Sequence, residues 1–231
     1  MARQGSMSNS DGFIEEVTEE VRKDRFYYLL RRYGWVGGLI VVLIVGGAAW
    51  SEYSKAQARA AAEGLGDEIL AALGQPETLD RQSDLEAIET SNPGAQAIVA
   101  MLAAAEAQQA GNTDAAVAAL DSVSVNGEVP EIYRQIAAFK ALVLQTDGMD
   151  EDSRRQQLEA LAAPGAPLSL LAQEQLALLD IESGAPDAAI ARLQSIIENA
   201  SVSTDLQQRA LQVIVALGGT PDLDNLPGLD N

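Results

Sequence analysis

Between Arg32 and Glu52 no charged residue interrupts the chain. Residues 33–51 read Tyr-Gly-Trp-Val-Gly-Gly-Leu-Ile-Val-Val-Leu-Ile-Val-Gly-Gly-Ala-Ala-Trp-Ser. At helical rise this stretch spans about 28 Å, close to the roughly 30 Å hydrocarbon thickness of a bilayer. The pattern predicts a transmembrane helix, kept as an uncleaved signal anchor. Before it, Phe13, Ile14, Val17 and Val21 fall on one face of an amphipathic helix over 13–32, with Glu19 and Lys23 at a favourable i,i+4 spacing. After it, apolar residues recur at helical rather than alternating spacing, so an all-α fold without sheet is expected. The predicted organisation is a tail at 1–32, the span at 33–51, a connecting helix and linker at 52–91, a helical domain at 92–217 and a disordered tail at 218–231. Within the tail, Met7 is as good a start as Met1.

The flanks of the span predict orientation. Arg22, Lys23, Arg25, Arg31 and Arg32 precede it, whereas only Lys55 and Arg59 follow within a similar distance. A Lys/Arg excess keeps that side in the cytoplasm. Seven of the ten aromatic residues lie between Phe26 and Tyr53, and Trp35 and Trp50 bracket the apolar run as interfacial anchors would. Gly34 and Gly38 form a Gly-x-x-x-Gly step that permits close helix approach in lipid. Arg31, Arg32, Gly34, Trp35, Gly38 and Trp50 are thus the candidate anchor residues.

Charge divides the chain unevenly. Residues 1–32 are balanced, and residues 33–231, with nine Lys/Arg and 28 Asp/Glu, carry the whole net charge of −19. An acidic domain is a poor partner for nucleic acid. The absence of Cys and His removes disulfides, thiolate metal sites and imidazole acid–base chemistry. No nucleotide-binding glycine loop and no nucleophile elbow is present. Asp147, Asp150, Glu151 and Asp152 resemble a calcium loop, but the sixth position is Asp152 or Arg155, not Gly. Arg154 and Arg155 are expected as a surface pair offsetting that acidity. No catalytic, metal or cofactor site and no small-molecule substrate is expected. The molecule is expected not to be an enzyme.

Glycine turns at Gly111, Gly148 and Gly184 punctuate the helices. Residues 111–122 (Gly-Asn-Thr-Asp-Ala-Ala-Val-Ala-Ala-Leu-Asp-Ser) align with 184–195 (Gly-Ala-Pro-Asp-Ala-Ala-Ile-Ala-Arg-Leu-Gln-Ser) at an offset of 73. The glycine ends one helix, and Asp114 or Asp187 starts the next. This resembles a tetratricopeptide repeat, with Gly111, Ala116, Leu120 and Val123, then Gly184, Ala189, Leu193 and Ile196, on the family's positions. Ala104 and Ala177 fall on the preceding helix. A middle unit over about 130–163 is inferred from spacing, with helices at 130–146 and 151–162, and 203–217 is expected to cap the array.

The resemblance implies a solenoid whose first helices line a groove. By register the partner-binding candidates are Ile98, Met101, Ala105, Gln135, Leu142, Leu171, Glu174 and Leu178. The whole-chain layout resembles YfgM-like proteins, on Ile14-Glu15-Glu16-Val17, the Arg31-Arg32 flank, the Gly-rich span and the Ala-rich helix after it. That resemblance implies a bacterial inner-membrane protein with a periplasmic tetratricopeptide domain. It would be ancillary to the Sec translocon and work with a periplasmic chaperone. The alternative is an accessory subunit of another inner-membrane complex, such as a respiratory one.

Overall fold

The computed structural model describes residues 8–145 and 148–222, with side chains from Arg31 onward. Among the described residues there are nine helices and no strand: α1 (Ser8–Leu73), α2 (Thr78–Glu86), α3 (Pro93–Gln109), α4 (Thr113–Ser124), α5 (Glu131–Leu144), α6 (Glu151–Leu161), α7 (Ser169–Glu182), α8 (Pro186–Ile197) and α9 (Thr204–Ala216). The chain divides into two compact units at Gly64 and Leu65. The expected face of Phe13, Ile14, Val17 and Val21 and the Glu19–Lys23 pair lie outside the described side chains.

The helix α1 runs through the first unit, its last residues from Leu65 belonging to the second, and it is long and apolar enough to cross a membrane. Side chains from Leu39 to Val45 are at least half exposed, and the window around them is not buried by any other part of the protein. Hydrocarbon at that exposure in water costs roughly 25 cal/mol per Å², and contiguous apolar surface of this kind marks a membrane or partner contact in proteins generally. Trp35 and Trp50 are also exposed, and Trp50 packs at 6.4 Å, tilted, on Tyr53.

In the second unit each helix from α2 packs on its chain neighbours. Short connections enforce this, and three of them share one geometry. Gly111, Gly184 and Gly218 have φ near +80°. At each, the following amide reaches back five residues: Asn112 N to Ala107 O, Ala185 N to Asp180 O, and Gly219 N to Ile214 O, all 2.8–2.9 Å. This Schellman closure satisfies helix-end carbonyls and requires a residue tolerant of positive φ. Gly148 departs from expectation. It lies in a turn before α6 but is not among the positive-φ glycines, so it does not terminate a helix in this way.

The offset of 73 extends far beyond the twelve-residue match. Helices α2–α5 correspond to α6–α9 in order and nearly in length. Core positions pair off: Leu85 with Leu158, Val99 with Ala172, Ala104 with Ala177, Ala116 with Ala189, Leu120 with Leu193 and Ala137 with Ala210, all almost fully buried. The α4–α5 and α8–α9 turns even repeat their hydrogen bonds, with Asn126 Oδ1 accepting from Glu128 N and Asn199 Oδ1 from Ser201 N. The repeating unit is therefore a set of four helices.

This explains why the stretch 130–163 lacks the motif of its neighbours. Its helix α5 closes the first set and α6 opens the second, and from α2 onward these two touch less than any other consecutive pair. The core contains Ala and Leu where larger rings are absent. One cluster joins Ala104, Ala116, Leu120, Val123 and Ala137, and its counterpart joins Ala177, Ala189, Leu193, Ile196 and Ala210. Small side chains on facing helices let backbones approach, so packing density is reached without aromatic bulk.

The expected loose tail does not hold for residues 218–222. Asp222 N donates to Gln194 Oε1 at 3.1 Å and Gln194 Nε2 donates to Asp222 O at 3.0 Å. A Cβ on Gly219 would meet Ile214 Cγ2 at 3.0 Å and Ile190 Cδ1 at 3.1 Å, so the chain passes tightly over α8 and α9. Residues 223–231 of the expected tail lie outside the described residues.

Candidate protein-interaction surface

The eight groove candidates separate into distinct environments. Ile98 on α3 and Leu178 on α7 are 40% and 37% exposed. Met101 and Ala105 are half-buried, and Met101 packs against the first core cluster. Leu171 is half-buried against the second cluster. Leu142 faces no groove: it is 4% exposed and belongs to a core cluster with Leu158, Ala172 and Leu176. On an amphipathic helix one register step rotates a side chain by about 100°, enough to exchange surface for core.

Glu174 and Gln135 show how polar groups sit among these positions. Glu174 on α7 accepts both Arg209 Nε at 2.8 Å and Arg209 Nη2 at 2.9 Å from α9. This two-point pair joins helices two apart in sequence and fixes their relative register. Its counterpart at the offset of 73 is Met101, so the same place is apolar in one set and ionic in the other. Gln135 Nε2 donates to Glu131 Oε1 at 3.0 Å, while its own Oε1 is buried without a protein partner.

Arg154 is not a surface charge, while Arg155, about one-quarter exposed, offsets the local acidity in part by donating to Glu151 Oε1 at 3.2 Å. Arg154 is 7% exposed and reaches Glu182, and Arg155 Nη1 donates to Asp180 Oδ1 at 2.6 Å. Both sit at the contact of α6 with α7, because consecutive helix positions straddle that packed face. Asp180, 4% exposed, also accepts Arg192 Nε from α8 at 3.1 Å, and Arg192 donates its Nη1 to Gln173 Oε1 at 2.7 Å. Burial pushes the Asp180 carboxyl up, but the hydrogen bonds from Arg155 and Arg192 outweigh it and hold the group below the ordinary carboxylate range. Sequence reasoning missed this cluster. A usable signal existed: Arg155 and Asp180 are 25 residues apart, as are Arg81 and Glu106, which pair at 2.7 Å between α2 and α3.

The acidic turn before α6 has a structural role. Asp150 caps that helix, accepting from Ser153 N at 2.9 Å, and this backbone hydrogen bond lowers its carboxyl. Asp147 lies outside the described residues. Among the described residues no group of acidic side chains is placed to hold a metal ion.

Two surface clefts accompany the helices. One, of about 780 Å³, lies along α4 and the end of α5 and includes Asp114, Val117 and Asp121. The other, of about 420 Å³, lies between the start of α7 and the α8–α9 turn. Comparison with protein-family models, with curated proteins and with solved structures finds no match to this chain.

Proposed function

We propose that the protein is a membrane-anchored scaffold for protein–protein contacts, held by α1 and presenting a tetratricopeptide-like helical array. The observation that carries this reading is the presence in one chain of an exposed apolar helix and a helical unit that repeats at an offset of 73. The array reading is supported by the helix pairs α3–α4 and α7–α8, by Schellman glycines at Gly111 and Gly184, and by small buried residues at Ala104, Ala116, Ala177 and Ala189. Stacked helix pairs expose an elongated surface suited to peptides and partner helices.

The basic flank ending at Arg31 and Arg32, against only Lys55 and Arg59 soon after the span, favours an N-terminus in the cytoplasm and a domain on the opposite side. With the resemblance to YfgM-like proteins, this becomes a bacterial inner-membrane protein with a periplasmic domain. It assists secreted proteins at the Sec translocon beside a periplasmic chaperone. Purification in mild detergent followed by mass spectrometry tests the assignment. Translocon subunits or a periplasmic chaperone should co-purify. Stoichiometric recovery with a respiratory or other inner-membrane complex instead would replace it with an accessory-subunit role.

A further inference from the structure

We propose that the cleft between the start of α7 and the α8–α9 turn receives an aromatic side chain from an extended segment of a partner protein. The two four-helix sets provide the basis. In the first set the Tyr133 ring lies over the start of α3: a Cβ on Gly94 would be 3.3 Å from Tyr133 Cε2 and 3.7 Å from Pro130 Cγ. Tyr133 also packs against the first core cluster. At the offset of 73, Gly94, Pro130 and Tyr133 become Pro167, Ser203 and Leu206, and all three line the cleft. The second set therefore lacks both the ring and the proline that close this place in the first.

The backbone opens it further. The helix α3 begins at Pro93, capped by Asn92 Oδ1, whereas α7 begins three positions later in register, at Ser169. A turn through Gly165 at φ +81° replaces that first helical turn. The resulting space of about 420 Å³ has an apolar side at Pro167, Leu170 and Leu171, with Leu206, 3% exposed, beneath it in the core, and a polar side at Asn199 and Ser203. A tyrosine side chain matches both: its ring covers apolar atoms and its hydroxyl finds hydroxyl and amide partners. An anchor of this kind contributes disproportionately to a protein contact.

This site deepens the scaffold reading and rests on it, but its test involves no translocon or chaperone. The full chain in lipid nanodiscs, with 13C-labelled leucine methyls, is titrated with N-acetyl-tyrosinamide. The Leu171 and Leu206 methyl resonances should shift saturably, with affinity about tenfold above that for N-acetyl-leucinamide. Leu206→Tyr, which restores the ring of the first set, should abolish the shifts. Ser201→Tyr, at the exposed rim, should do the same with helical circular dichroism unchanged, and it decides the matter if Leu206→Tyr does not fold. Absence of shifts in the unaltered chain, equal affinity for the two probes, or retained binding in Ser201→Tyr overturns the assignment. A positive titration beside an empty pull-down removes the translocon reading alone. The reverse result removes the cleft alone.

Discussion

Arg155 on α6 donates to the carboxylate of Asp180 on α7 at 2.6 Å, and that carboxylate is simultaneously gripped by Arg192 on α8. One buried acid thus ties three consecutive helices. Its replacement takes the buried carboxylate from two guanidinium groups, each about one-quarter exposed, which keep Glu151 on Arg155 and Gln173 on Arg192. Asp180→Asn should lower stability by about 2 kcal/mol, a value below that of a fully buried pair because water reaches both arginines. Urea unfolding followed by circular dichroism measures it. An unchanged midpoint would show that the three helices are held by apolar packing alone.

Acid should weaken the same junction. The Asp180 carboxyl is depressed in the folded state, so its stabilisation is fully present above the unfolded value of about 4 and is lost as pH falls through the folded value. Thermal unfolding between about pH 5 and pH 2 should show a decline that is shallower in Asp180→Asn. Identical slopes for the two chains would assign the acid sensitivity to other carboxylates.

At Gly184 a side chain is excluded by backbone conformation rather than by space. Its φ is +77°, and nothing lies within 4 Å of a Cβ built there. Gly184→Ala should therefore cost about 1 kcal/mol through left-handed strain. Gly127→Ala, which also has open space but no positive φ, is the control and should differ little by calorimetry.

The passage of the chain over α8 makes a different kind of glycine at 219. Gly219→Val should push residues 219–222 away from Ile190 and Ile214 and break the Gln194–Asp222 hydrogen bonds. Hydrogen exchange at Asp222 N should accelerate while amides in the middle of α7 keep their protection. Uniform loss of protection would mean that the segment is integral to the whole unit.

For the apolar helix, Leu43→Arg places a charge among side chains 60–67% exposed. At the centre of a spanning segment the charge costs about 2.5–3.5 kcal/mol of insertion. The fraction recovered with membranes after carbonate extraction should fall. Full retention would show that this segment does not cross the bilayer.

Helices were legible because their signals are local. Apolar periodicity and turn residues placed α5, α6 and α9 within a few residues of where they lie, and the apolar run over 33–51 needed only length and charge. The environment of individual side chains was less accessible. Leu142 and Leu178 look alike in sequence, yet one is core and the other half in solvent, because a helix touches different neighbours on two sides. Arg154 and Arg155, beside four acidic residues, read as solvated charge. Their partners Glu182 and Asp180 lie one helix later, and no local pattern announces that. Glycine spacing suggested a middle unit over 130–163, whereas the buried positions recur at 73, the offset already carried by the match of 111–122 with 184–195.

Both tryptophans, Trp35 and Trp50, belong to α1, and beyond Gly64 the only phenol is Tyr133. Tryptophan emission from this molecule therefore reports the apolar helix and is blind to the helical unit after it. A tryptophan introduced at the rim of the α7 cleft, or carried in by a partner, would be the first such fluorophore in that unit. The scarcity of aromatic residues that left the core to alanine and leucine thus leaves an optically quiet background against which association can be watched.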